Sequence, residues 1–503
     1  MRRLRLPRLA YNWISSIGIA IALVIILLMT FLYVIDLFAS ETNPYLGIFL
    51  YMALPPILIF GLLLIPIGMI GQWLRFRKSG ELAYPSWPYI DLNNRSHRNA
   101  TLIFFSGTFL FLIISAVGSY KAYHFTESVT FCGTTCHKIM KPEHTAYQNS
   151  PHARVACVAC HVGPGADWFA KSKLSGLYQV YATLLNKYPS PIPTPIASLR
   201  PARETCEQCH WPKKFFGAQQ RLFKHYMYDK DNTYWPINVL VNTGGGGPGS
   251  GEESGIHWHT FISNRIEYIA RDQERLDIPW IRATNLKTGR ITIYQNIEDP
   301  LSEEEIAAAA PRVLDCMDCH NRPSHIYNSP DNAINTAIYA GWISALLPEI
   351  KRISVEAMAI EYEDEAAARQ GIANYIGDFY LKEYPDIHDE KPELINQAIL
   401  ATQDQFTQNI FPEMKVRWEE YPNNIGHFES PGCFRCHFGS HTSADGVSIS
   451  KDCNACHIIF AQGSGDRASF SSSPEGLAFV HPEDIDDAWQ EIGCFECHSG
   501  TQP

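Results

Sequence analysis

Seven short runs in this chain share one pattern, two cysteines followed at once by a histidine. They end at His137, His161, His210, His320, His437, His457 and His498 and use all 14 cysteines. Six have C-x-x-C-H spacing, at Cys157 and Cys160, Cys206 and Cys209, Cys316 and Cys319, Cys433 and Cys436, Cys453 and Cys456, and Cys494 and Cys497. The first, Cys132 and Cys136, has one extra residue between its thiols. This spacing lets two thiols bond to the vinyl groups of one haem while the next imidazole reaches the iron. With His at 19 of 503 positions, seven such matches by chance have a probability on the order of 10⁻¹⁰. Disulfides would not need the histidines, and zinc sites built from two pairs each would leave one pair of seven over. The expected chemistry is one-electron transfer through seven covalently bound haem c groups, or six if the Cys132 motif is not used.

Such motifs need a scaffold, and the N-terminal quarter supplies a membrane anchor. Residues 11–35 are uncharged and follow the basic start MRRLRLPR; they are too long for the apolar region of a secretory signal. A second uncharged run, 42–74, contains Pro55, Pro56 and Pro66, which are expected to kink it, and a third covers 99–120. Three spans follow, at about 11–36, 45–73 and 100–120. Arg2, Arg3, Arg5 and Arg8 precede the first, and Arg75, Arg77, Lys78, Arg95 and Arg98 lie between the second and third; the short loop at 39–45 has no Lys or Arg. Positive-inside then places the N-terminus in the cytoplasm and everything after about 121 outside, where covalent haem attachment is expected. The inferred location is a bacterial inner membrane, multi-pass. The net charge of −11 argues against nucleic acid as a partner.

The expected class is a membrane-anchored multihaem cytochrome c: three transmembrane helices plus a mainly α and irregular haem domain with a small antiparallel β insert. Its segments are an anchor (1–121), a three-haem domain (122–215), a β-rich insert (216–300), the fourth motif (301–328), a helical insert (329–425) and a C-terminal three-haem segment (426–503). Residues 166–187 mix aromatic and aliphatic side chains with Lys171 and Lys173, as a helix in the membrane interface or an ordinary surface helix would. GGGGPGSG (244–251) reads as a flexible loop and lacks the GK[ST] of a phosphate cradle. IHWHTFISNRIEYIA alternates with period two, which would put His257 and His259 on one face of a strand. IPWIRATN and RITIYQN flank a turn at LKTG. Ser302 with Glu305 forms a capping box, and 330–412 has helical periodicity. Between the last three motifs little secondary structure is expected.

Electron-transfer haems usually take a second protein ligand. His97 sits in the cytoplasmic loop and is excluded. The best placed candidates are His152, His325, His427, His441 and His481, then His225 and one of His257 or His259; His144 and His388 read as ordinary. Met140 follows His137 by three residues, and a thioether ligand there would raise the potential of the first haem; the other reading is a core methionine.

The stretch 131–185 resembles the NapC/NirT family of membrane-anchored multihaem quinol dehydrogenases. The resemblance rests on CGTTCHKIMKP, on Ser150 to His152, on CVACHVGP and on AKSKLSGLYQVYA. Span and motif counts look closest to seven-haem inner-membrane cytochromes used in respiration of extracellular acceptors. The resemblance implies oxidation of menaquinol beside the first haem, drawn from the membrane quinol pool, and outward transfer to periplasmic cytochromes or other redox proteins. It also implies Met140 as the unusual ligand of the first haem, His152 as a distal ligand of another haem, and Lys173 as a quinol-site residue. Two departures stand out: the wider first motif, and Gln179 roughly where the family has a carboxylate. The second leaves the proton acceptor to Asp167, Glu143 or His124. Competing readings are an enzyme reducing a small oxyanion at a haem with an open coordination site, a quinone-reducing conduit running in reverse, and a redox sensor. The absence of C-x-x-C-K and the supply of histidines favour the conduit. Oligomeric state is left open.

Overall fold

The computed structural model describes residues 8–38, 54–79, 91–135, 137–163, 165–196, 200–210, 217–244, 255–486 and 488–501. Arg2, Arg3 and Arg5, the loop at 39–45, Cys136 and nearly all of GGGGPGSG lie outside them. Contacts divide the chain into two compact units: Met1–Glu127 with Val162–Tyr178, and Ser128–His161 with Gln179–Pro503.

In the first unit, α1 (Trp13–Phe38) and α2 (Leu54–Ser79) meet along a seam of small residues. A Cβ on Gly18 would lie 2.6 Å from the Gly61 carbonyl oxygen, so the backbones approach closely because side chains are missing there. Ser15 Oγ donates across the seam to the Ile65 carbonyl at 2.8 Å. The outer faces expose Leu23, Val24, Leu27, Phe31, Phe60, Leu63 and Ile67, a surface suited to lipid. Trp13–Leu32 and Leu54–Lys78 are long and apolar enough to cross a membrane. Helix α2 begins at Leu54, which puts Pro55 and Pro56 in its first turn, where a missing N–H breaks no helical bond. The kink expected from three prolines therefore falls to Pro66. The expected third span lies within α3 (Arg95–Thr126), a 32-residue helix capped by Asn94 and about 48 Å long.

Short helices carry the first motifs: α4 (Val129–Thr134), α5 (His137–Gln148), α6 (Cys157–His161) and, beyond α7 (Ala166–Leu184), α8 (Ala202–Cys206). Two sheets follow in the second unit. One runs in the order β1 (Gln219–Tyr226), β2 (Tyr234–Val241), β8 (His457–Gln462), β9 (Ser469–Phe470). The other runs β6 (Arg312–Val313), β3 (Asn264–Ile269), β4 (Trp280–Asn285), β5 (Ile291–Asn296), β7 (His441–Ser443). Strands β4 and β5 pair antiparallel across the LKTG turn, as their alternation predicts. However, β6 to β9 come from later segments, so the stretch 216–300 does not complete its own sheets. The C-terminal segment, expected to hold little regular structure, supplies three of the nine strands found among the described residues.

His257 and His259 are not on a strand. They occupy a 3₁₀ turn, Ile256–Thr260, ahead of β3. At three residues per turn, positions two apart diverge by about 240° and face different neighbours.

Helix α9 (Glu303–Ala308) starts with the Ser302/Glu305 capping box, and α10 (Cys316–Cys319) carries the fourth motif. The principal core lies in α11 (Pro330–Tyr339), α12 (Ile350–Ala359), α13 (Glu365–Glu383) and α15 (Pro392–Asn409), with α14 (Pro385–Glu390) beside them. Ile334, Leu347, Ile350, Met358, Ile372, Tyr380 and Phe406 are fully buried there. The last motif is on α16 (Cys494–Cys497).

Candidate functional site

The six C-x-x-C-H motifs each fold locally into a single turn. The histidine N–H donates to the carbonyl of the first cysteine at 2.8 Å for His210 and His320, 3.0 Å for His437 and 2.9 Å for His498. Cysteines three apart on such a turn share a face, with the histidine beside them. Among the thirteen described cysteines no disulfide links one to another.

The non-motif histidines are brought to the motif histidines in pairs. Ring centroids are 6.0 Å apart for His152 and His210, 6.3 Å for His325 and His161, and 6.4 Å for His257 and His320. They are 5.7 Å apart for His259 and His437, 6.2 Å for His427 and His457, and 6.1 Å for His481 and His498. Two imidazoles on opposite sides of one iron, each bonded at about 2 Å, have centroids roughly 6 Å apart. The donor set therefore fits six bis-histidine haems. In the closest pair the two Nε2 atoms face each other at 3.5 Å.

The second ring nitrogen sharpens this. Nδ1 bonds to a backbone carbonyl oxygen in His152 (Pro323, 3.1 Å), His257 (Thr243, 2.9 Å), His259 (Ile256, 2.7 Å) and His481 (Glu483, 2.9 Å). In His325 it bonds to Glu143, carbonyl at 3.0 Å and carboxylate at 2.9 Å. A hydrogen bond at Nδ1 fixes the tautomer in which Nε2 is the ligating atom.

His441 is the opposite case. It is 2% exposed and its Nε2 bonds to the Ile278 carbonyl oxygen at 2.6 Å, so the atom needed for iron is engaged in holding β7. His225 packs on Phe428 at 5.2 Å, and Phe428 in turn stacks on His498 at 4.4 Å. His441 thus spends its Nε2 on the Ile278 carbonyl and His225 rests on Phe428, whereas His257 and His259 each face a motif histidine. His144 packs against Gly133, and His388 sits beside Asp389 on the surface. Met140 lies on α5, one turn after His137.

In the first unit, Lys173 Nζ pairs with Glu127 Oε1 at 3.0 Å and lies 4.9 Å from the centre of the Phe169 ring. Tyr123 Oη donates to Glu127 Oε2 at 3.5 Å. Glu127 is thus a carboxylate beside Lys173 that sequence reading missed; its signal was its place as the first acidic residue after the third apolar run. His124 packs on Tyr120 and Tyr123, at 4.4 and 5.3 Å. Asp167 is exposed in the first turn of α7, and Gln179 is exposed farther along it. Glu143 is engaged elsewhere in the second unit. Burial pushes its carboxyl up, but the hydrogen bond from His325 and the Arg322 guanidinium at 3.4 Å outweigh this and hold it down at about 2. It orients a histidine, and no function as a proton acceptor is left to it.

Asp318, inside the fourth motif, was also missed. It is buried and accepts from Tyr268 Oη (2.6 Å), Arg275 Nη1 (2.9 Å) and Arg312 Nε (2.8 Å). Three donors, two of them charged, compensate burial of the carboxylate. Its carbonyl accepts from Arg435 of the fifth motif at 2.8 Å.

These features define a membrane-anchored, electron-transferring c-type cytochrome with covalently bound haem. The N-terminal region of the NapC/NirT cytochrome c family matches residues 94–191, and the chain belongs to that family. The cytochrome c-type protein ImcH of Geobacter sulfurreducens is 46% identical to it over 491 residues, 97% of this chain and 95% of that protein. No solved structure matches the chain.

Proposed function

We propose that this protein oxidises menaquinol at the outer face of the bacterial cytoplasmic membrane and passes the electrons through seven haems to periplasmic or extracellular acceptors. Haem iron, when bound, supplies one-electron ferric/ferrous chemistry. The observation that carries the reading is the set of six histidine pairs. Each pair would hold one haem iron between its two imidazoles, which would leave no coordination place for a substrate and favours a conduit over an oxyanion-reducing enzyme. Met140 would complete the first site, where a thioether ligand would raise the potential. A third span in α3 is supported by the exposed Leu102, Ile103, Phe105, Phe109, Leu110 and Ile114. The basic residues Arg75, Arg77, Lys78, Arg95 and Arg98 then face the cytoplasm.

Oxidation of one quinol yields quinone, two protons and two electrons, which bound haems would accept one at a time. Lys173 donates a charge-assisted hydrogen bond to a quinol oxygen that strengthens as negative charge develops there. Glu127, already within reach of Lys173, is the base that receives a proton, the role for which the chain has Gln179 at the expected place. Glu127 also lies five residues before Cys132 in the chain, where the first electron is taken up.

The test is stopped-flow reduction by a menaquinol analogue. Lys173→Ala is expected to slow it ten- to a hundredfold, corresponding to about 1.5 to 3 kcal/mol, with reduction by dithionite unchanged. A parent protein that quinol does not reduce overturns the assignment.

A further inference from the structure

The contacts among the motifs carry a statement about the route. We propose that the seven attachment motifs follow one another in space in their sequence order, so that electrons taken up at Cys132 and Cys136 pass every motif in turn and leave at Cys494 and Cys497. This rests on the ligation proposed above and goes beyond it, because sequence order does not by itself dictate spatial order.

Each step has its own contact within the second unit. Cys132 of the first motif is a neighbour of Cys157 of the second. Helix α6 of the second packs on α8 of the third, with Cys160 a neighbour of Cys209. Helix α8 packs on α10 of the fourth, where Cys206 is a neighbour of Cys316. From fourth to fifth, Arg435 Nη2 donates to the Asp318 carbonyl at 2.8 Å. The same junction is bridged by the Ile256–Thr260 turn, which sends His257 to the fourth motif and His259 to the fifth.

The last two steps use consecutive residues. Phe434, between the cysteines of the fifth motif, stacks at 4.1 Å on His427, the partner of His457 in the sixth. The next residue, Phe428, stacks at 4.4 Å on His498 of the seventh, and Cys453 neighbours Cys494. Ligands supplied by one segment to the haem of another keep these junctions together: His152, before the second motif, faces the third, and His325, after the fourth, faces the second.

The order is tested by clamping one iron at a time in the haem-loaded, full-length protein. His152→Gly opens the third haem and His427→Gly the sixth; a new high-spin signal and an unchanged haem content qualify each variant. Full reduction by dithionite under carbon monoxide, then oxidation by ferricyanide under the same gas, leaves only the opened iron ferrous and blocked. On mixing with a menaquinol analogue, the fast absorbance rise is expected to be confined to the first two haems in His152→Gly and to extend to the first five in His427→Gly. If both clamped variants give the same rise, equal to that of the unclamped variants less one haem, the route branches and the proposed order is wrong.

A second measurement needs no quinol and so separates this order from the quinol assignment. In the ferric double variant His152→Gly/His325→Gly, with neighbouring haems opened, electron paramagnetic resonance is expected to show mutual broadening of the two high-spin signals. In His152→Gly/His481→Gly, with haems four places apart opened, no such broadening is expected. Broadening in the second and not in the first overturns the order, whatever quinol does.

Discussion

The helical layer at 330–421 and the C-terminal segment at 426–501 are of comparable length and are held together differently. Among described residues, 24 hydrophobic side chains are buried in the first, whereas Ile459 is the buried hydrophobic residue of the second. In that second segment Phe470 and Val480 are 77% and 52% exposed. The helical layer folds as soluble domains do, by removing apolar surface from water at roughly 25 cal/mol per Å². The segment bearing three attachment motifs buries little apolar surface of its own; with the proposed haems bound, these would supply its core. Its order therefore depends on covalent chemistry that the helical layer does not need.

Preventing haem attachment separates the two most strongly. With Cys433, Cys436, Cys453, Cys456, Cys494 and Cys497 all replaced by Ala, hydrogen exchange followed by mass spectrometry is expected to show amides of 426–501 near unprotected rates. Peptides from α12, α13 and α15 should keep their protection. Equal loss in both regions would mean that the helical layer also leans on the haems.

Within the helical layer, the strongest single perturbation is at a polar site. Lys351 is 0% exposed, with Nζ 2.7 Å from Asp331 Oδ1 and 2.7 Å from the Asp331 carbonyl oxygen. Tyr228 and Asn335 also donate to the Asp331 carboxylate. Burial pushes the Lys351 ammonium pKa down, and the carboxylate opposes this. Lys351→Met leaves the carboxylate buried without its counter-ion and should cost about 3 to 5 kcal/mol in denaturant unfolding, with haem content unchanged.

At a haem-bearing segment, local stability and spectrum should move together. His325→Ala is expected to turn one low-spin haem high-spin and, by leaving Glu143 short of a donor, to cost about 1 to 3 kcal/mol. His441→Ala, which removes the bonds to Ile278 and Ser440, should leave every haem low-spin. A high-spin signal from His441→Ala would reinstate it as a ligand. The smallest effect is expected at the surface: Ser302→Ala removes the capping box of α9 and should cost about 1 kcal/mol, without change in spectrum or haem content.

Local rules made much of this protein legible from its residues. Haem attachment needs only two thiols and an imidazole close together in the chain, so all seven motifs could be read as short strings. Long apolar runs identify α1 and α2 because lipid demands uninterrupted hydrophobicity. The helices of 330–412, the LKTG hairpin and the Ser302/Glu305 box follow from periodicity and capping. Where two local conformations share a pattern, reading failed: HWH alternates like a strand, and Ile256–Thr260 is a 3₁₀ turn.

Which histidine faces which motif was decided by tertiary structure alone. His259 and His437 are 178 residues apart, and nothing local distinguishes His259 from His441, which lies four residues beyond a motif yet spends Nε2 on the Ile278 carbonyl. The Lys173 and Glu127 pair, 46 residues apart, and the sheets that join β2 to β8 and β5 to β7 depend on the same long-range closure. Covalent spacing and solvent partition act along the chain and leave their mark in sequence; ligation and strand pairing act through space, between segments whose approach is settled only when the whole chain packs.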